Sequence, residues 1–265
     1  MRFKQYGHSS ETVIQNTLGI PLSLIRKRVI LSPGWIPERM YSAEDVRELC
    51  AATPLFGYHI WEVGCKGVSV TYIKTGFGAP VNMDAVLLLG LTACNTILFI
   101  SSVGSLLPEM EIGDLILPEY AISGDGAVRY LSEDVTSDSF GSVSQPDTSL
   151  FVQLREATET ECNKTGVRLH QGLLFCSDTI IAERAVFDFA RAKGADAMDM
   201  ESAAVFRAAE MMGIKAAALL QVSDVPFTEK TLFHGSGDEA ERSYRRFVQR
   251  EVMSRIIAEV LSSNI

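Results

Sequence analysis

Short apolar runs rich in β-branched residues recur along this chain: RVILSP from Arg28, VSVTYIKTG from Val68, TILFISSVG from Thr96, DLILPEYAI from Asp114, RLHQGLLFCS from Arg168 and KAAALLQVS from Lys215. Their near-continuous hydrophobicity predicts strands buried on both faces, as parallel sheets require. Between them, SAEDVRELCAA (42–52), TSLFVQLREATETECNK (148–164), AERAVFDFARAKG (182–194) and MESAAVFRAAEMMG (200–213) place apolar residues at helical spacing. Strand and helix alternate, so the class is α/β, and no repeat or linker divides residues 1–265 into more than one domain. The end signals agree: Ser42 is placed to cap, Pro80 fits a first turn, and Gly194 and Gly213 follow helical ends.

An uncharged stretch, Ala85–Leu107, is long enough to raise a membrane span, but its flanking charges, Asp84 and Glu109, are acidic and Asn95 interrupts it. It divides better into a helix over 80–94, a turn at Asn95 and a buried strand. Two segments break the alternation. Residues 123–149, rich in Ser, Asp and Gly, read as an exposed excursion, and 225–240 read as a lid with a Gly-Ser-Gly hinge before the last helix. That helix, from Asp238, offers Phe247, Val248, Met253, Ile256, Ile257 and Val260 for one buried face.

Composition narrows the function by exclusion. The 265 residues are 47% hydrophobic and carry a formal charge of −9, with no basic run longer than that in IRKRV, so binding to nucleic acid or an anionic membrane is not expected. Five widely spaced cysteines without a CxxC pair suggest neither disulfides nor a metal site, and fit a reducing cytoplasm. Asp224 ends the strand KAAALLQVS, the position where open α/β sheets present ligand-binding groups; a plain SDVP turn is the competing reading. Asp199 and Glu201 flank Met200 at the entrance to a helical pattern, where acids also favour a helix N-terminus without any ligand.

The segment MDMESAAVFRAAEMMGIKAAALLQVSD resembles the signature of the purine nucleoside and uridine phosphorylase family, and the likeness extends to ILSPGWIPERM, TGFGAPVNMDAV, ILFISSVGSLLPEMEIGDLILP and GLLFCSDTI. The resemblance implies a single domain with a mixed central β-sheet, assembled as dimers or trimers of dimers, that cleaves the N-glycosidic bond of a nucleoside. It implies no cofactor beyond inorganic phosphate as co-substrate. Glu201 would bind the ribose hydroxyls with Met200 against the sugar, and Asp199 would help to orient them. Asp224 would protonate the leaving base, assisted by Arg242, and His8 would reach a neighbouring subunit's 5′-hydroxyl. Gly34, Arg39 and Ser102 would hold phosphate. Where the family places an arginine on the central strand, this chain has Phe99. Two nucleophiles therefore stay open: phosphate, or a water positioned by Glu38, as in the related methylthioadenosine/adenosylhomocysteine nucleosidases. A non-catalytic nucleoside-binding or storage homologue is the reading from another class.

Overall fold

The computed structural model describes residues 7–228, 230–232 and 239–263. Its ten strands are β1 (Arg28–Ser32), β2 (Val46–Cys50), β3 (His59–Cys65), β4 (Val68–Lys74), β5 (Thr96–Ser105), β6 (Leu115–Gly124), β7 (Val143–Ser144), β8 (Leu169–Ser177), β9 (Ala197–Asp199) and β10 (Lys215–Asp224). The helices are α1 (Ser10–Leu18), α2 (Ala79–Leu89), α3 (Thr148–Thr165), α4 (Phe187–Ala192), α5 (Ser202–Met212), α6 (Glu239–Phe247) and α7 (Ser254–Ser262). A π-helical turn, Val248–Met253, joins the last two.

The sheet is mixed, as expected. Its order is β10-β6-β8-β9-β5-β1-β4-β3-β2, with β7 on β6, and β10 also pairs with β5. That extra pairing closes β10, β6, β8, β9 and β5 into a hydrogen-bonded ring, from which β1, β4, β3 and β2 extend as an open wing. The six apolar runs form β1, β4, β5, β6, β8 and β10, and the runs forming β5 and β10 are almost wholly buried. Apolar cores lie on both sides of the sheet. One packs α2 and α5 against Leu31, Ile97, Phe99 and Leu220, and the other packs α3, the π turn and α7 against Ile30, Leu98 and Leu219. The uncharged stretch divides into α2 and β5, and no helix among the described residues is long and apolar enough to cross a membrane.

Four expectations are corrected. SAEDVRELCAA is not a helix: only Ala43–Asp45 makes a 3-10 turn, and Val46–Cys50 is the edge strand β2, paired antiparallel with a strand the pattern had not marked, β3. MESAAVFRAAEMMG begins its helix two residues later, at Ser202, leaving Met200 and Glu201 in the link from β9. The excursion over 123–149 is exposed over much of its length but not at its start. Asp125 is buried and accepts from Ser123 Oγ (2.7 Å) and from the backbone N–H of Ala127 (2.8 Å) and Val128 (2.9 Å), which tucks Ala127, Val128 and Leu131 inside. Phe247 is 42% exposed although Val248 is fully buried, so Phe247 lies off the buried face that begins with the π turn. The Gly-Ser-Gly hinge at 235–237 lies outside the described residues.

Candidate active site

The carboxyl ends of β1, β4, β5, β9 and β10 converge on one cleft, the location open α/β sheets favour for ligands. The cleft has two lobes. The inner lobe, about 220 Å³, is lined by Met198, Asp199, Met200, Glu201 and Asp224 together with Val103, Gly104, Ile180 and Glu183. The outer lobe, about 680 Å³, is lined by Gly34, Glu38, Arg39, Arg242, Arg246 and Arg250 among others. Phe77, Ser101, Ser102 and Arg245 line both, so the two lobes share one wall.

Glu201 and Asp199 have different surroundings. The Glu201 carboxyl is buried, accepts from the Gly78 N–H through Oε1 (2.7 Å) and lines the inner lobe. Gly78 presents that N–H because the preceding turn is left-handed: Gly76 has φ 107° and Gly78 φ 108°, values that glycine adopts without strain. Asn82, fully buried in the apolar helix α2, fixes the turn by donating from Nδ2 to the carbonyls of Gly76 and Gly78 (3.0 Å each) and accepting from Thr75 Oγ1 (2.7 Å). Asp199, by contrast, is satisfied within the protein. Oδ1 accepts from Cys176 Sγ (2.8 Å), and Oδ2 accepts from the Ser202 N–H (2.9 Å) and hydroxyl (2.5 Å), a cap on the first turn of α5. Burial raises both carboxyls above their ordinary range, and the charge of Asp199 adds to the rise at Glu201.

Asp224 reaches the lobe through a bulge: the register of β10 against β5 shifts between Val222 and Asp224, which sets Asp224 opposite Gly104. Its Oδ1 lies 2.8 Å from Ser223 Oγ, which is also 3.0 Å from the Val103 carbonyl and so ties the acid to β5. Burial raises the Asp224 carboxyl, opposed by the Ser223 hydroxyl, the positive charge of Arg245 and the Leu232 backbone. The net shift is upward, the direction that favours the protonated form a proton donor needs.

The outer lobe gathers positive charge in an otherwise acidic chain. Gly34 turns off β1 beneath the Phe77 ring, so close that a Cβ there would lie 2.6 Å from the ring. Glu38 and Arg39 follow on a 3-10 turn, Pro37–Arg39, and are exposed to the cleft. Ser102 faces both lobes from β5. Phe99, at the position where an arginine would be needed, is fully buried in the core shared with α2 and α5 and contributes nothing to the cleft. The arginines come instead from α6 and the π turn. Arg242 pairs with Glu239 (3.0 Å) at the rim. Arg245 stands deeper: its Nε is buried with no hydrogen-bond partner, burial and the nearby Arg39 lower its pKa, and Asp224 acts in the opposite direction. A buried glutamine pair anchors this segment, with Gln249 Nε2 donating to Gln221 Oε1 on β10 (2.8 Å). His8 is exposed just before α1 and lines neither lobe.

The cleft thus brings together Asp199, Met200, Glu201, Asp224, Gly34, Glu38, Arg39, Ser102 and Arg242. Sequence reasoning passed over Arg245, Glu183, Phe77, Cys176 and Asn82. Asn82 carried a signal, being the lone amide in an apolar helix. Arg245 carried none that separated it from Arg242 and Arg246.

Comparison with known proteins gives a consistent setting. Residues 41–261 match the family model described as the phosphorylase superfamily. A DeoD-type purine nucleoside phosphorylase of Mycoplasma genitalium is 27% identical over 233 residues, covering 83% of this chain and 89% of that one. A uridine phosphorylase of Thermococcus kodakarensis is 27% identical over 175 residues, covering 59% and 58%. Among solved structures, a uridine phosphorylase from Vibrio fischeri ES114 superposes with a TM-score of 0.73 at 21% identity, over 94% of this chain and 97% of that one. An AMP nucleosidase from Bacteroides thetaiotaomicron gives 0.69 at 19% identity, over 94% and 93%.

Proposed function

Since the chain belongs to the phosphorylase superfamily, we propose that it cleaves the N-glycosidic bond of a purine ribonucleoside by phosphorolysis, releasing free base and ribose 1-phosphate. The observation that carries this reading is the shared wall: two buried carboxyls, Asp224 and Glu201, line one lobe that adjoins an arginine-lined lobe. Inorganic phosphate is the co-substrate, and no other cofactor takes part.

The ribose diol donates to Glu201, with Met200 as a polarizable, non-nucleophilic surface beside the sugar. Phosphate in the outer lobe is held by the Ser102 hydroxyl, Arg39 and Arg245, with Gly34 allowing close approach of backbone. As the bond from C1′ to the base nitrogen breaks, its electron pair passes into the base, and Asp224 donates a proton to the imidazole nitrogen so that the base leaves neutral. A phosphate oxygen forms the new bond to C1′ from the opposite face. Positioned acid catalysis of this kind is worth roughly a hundredfold to ten-thousandfold. Arg245, acting on both Asp224 and the anion lobe, links the two halves of the reaction: a bound dianion offsets its charge and favours the protonated form of Asp224.

The test is a panel of inosine, adenosine, uridine and methylthioadenosine, incubated with and without phosphate in desalted buffer, with base and sugar products identified. Phosphate-dependent ribose 1-phosphate is expected. Free ribose at an unchanged rate without phosphate would replace this reading with hydrolysis and make Glu38, which faces the same lobe, the residue to substitute next. Riboside binding in a calorimeter without turnover would make the protein a binder.

A further inference from the structure

One carboxyl in the inner lobe has no part in the chemistry above. Glu183 opens the 3-10 turn Glu183–Val186, beyond β8, and lines the lobe together with Ile180 and Asp224, whereas the neighbouring Ile181 is 80% exposed and turned to solvent. No hydrogen bond or ion pair engages the Glu183 carboxyl among the described residues. The charged and titratable groups lining the same lobe are Asp224 on β10, Asp199 and Glu201 at the junction of β9 and α5, and Arg245 on α6. Burial, with the charge of Asp224, pushes the Glu183 carboxyl up to about 7. A half-buried carboxyl without a partner is costly unless a ligand completes its hydrogen bonding.

The ligand's chemistry follows from what sits beside Glu183. If Asp224 protonates the imidazole nitrogen of a purine, the next group along that edge of the base is the 6-substituent, an amino donor in adenine and an oxo acceptor in hypoxanthine. We propose that Glu183 determines base specificity by reading this 6-substituent, accepting from a 6-amino group when ionised and donating to a 6-oxo group when protonated. The inference rests on the glycosidic-bond reading and adds the residue that sorts its substrates.

The experiment measures kcat/KM for adenosine and for inosine from about pH 6 to about pH 8, in the native protein and in Glu183→Gln, and follows their ratio; tenfold per pH unit is about the steepest dependence one proton can give. Ionisations common to both substrates, including those of Asp224 and phosphate, cancel in that ratio. In the native protein the adenosine-to-inosine ratio should rise by about tenfold per pH unit, approaching about a hundredfold across this range. In Glu183→Gln, whose amide both donates and accepts, the ratio should be flat. A pH-independent native ratio, or a slope that survives in Glu183→Gln, would overturn the proposal. If the native protein cleaves neither nucleoside, the functional reading fails first. The same ratio taken from equilibrium binding of adenine and hypoxanthine then decides the role of Glu183 separately.

Discussion

Two residues apart in the chain, Asp199 and Glu201 differ: both carboxyl oxygens of Asp199 are bonded within the protein, while Glu201, held at one oxygen by the Gly78 N–H, lines the cleft. Glu201→Gln should therefore raise KM and lower kcat together for ribosides and remove the native preference for them over 2′,3′-dideoxyribosides, read in steady-state kinetics. Asp199→Asn should instead lower stability, by about 1–3 kcal/mol as a buried bonding network is disrupted, read by thermal unfolding. For Asp224→Asn, kcat should fall roughly a hundredfold or more with little change in nucleoside affinity, the pattern of an interaction made mainly in the transition state. Glu183 gives a stability test with a definite sign. Its carboxyl titrates from an ordinary 4.5 up to about 7 in the folded protein, so the folded state binds its proton more tightly than the unfolded chain. The stability this contributes is fully present below the ordinary value and lost as pH rises to the folded one, and Glu183→Gln should raise Tm at about pH 8 but not at about pH 4.

Among the elements, α6 with its π turn holds most of what the sequence concealed. Arginines 242, 245 and 246 look alike in EAERSYRRF, and only the register set by the helix and the Gln221–Gln249 pair sends Arg245 inward while Arg242 and Arg246 pair with Glu239 at the surface. Arg245→Met should raise the KM for phosphate about tenfold or more, against a few-fold for Arg242→Met, since a charge-assisted contact in a partly buried site is worth about 1.5–3 kcal/mol and a solvent-screened one less. Of the strands that carry the site, β1, β4, β5 and β10 were legible because their runs are apolar, whereas the three-residue β9 was not marked. The edge of the wing was not: in β2 the residues Val46 and Leu49 sit three apart, which imitates a helix, and pairing with β3 overrides that local signal. The buried start of the 123–149 excursion was hidden for a related reason, because Asp125 folds back on three backbone and side-chain donors and a polar segment thereby becomes interior.

Across the molecule, a formal charge of −9 surrounds a lobe lined by five arginines, Arg39, Arg242, Arg245, Arg246 and Arg250. Composition argued against nucleic-acid binding but could not locate this reversal of sign, which depends on bringing residue 39 beside residues 242–250. Asp224, Glu201 and the glycine turns were readable as candidate cleft residues because they belong to continuous segments. The anion lobe was only partly readable because it is assembled across some two hundred residues of sequence. The closed ring of β10, β6, β8, β9 and β5 bears on how the cleft is lost. A ring offers no terminal strand to peel away, and Asp224, Asp199 and Ser102 all stand on its members, so the floor of the cleft should not fray ahead of the sheet. In amide exchange, the backbone of β5 and β10 should therefore open only with global unfolding, and heat should abolish catalysis and ring together in one cooperative step.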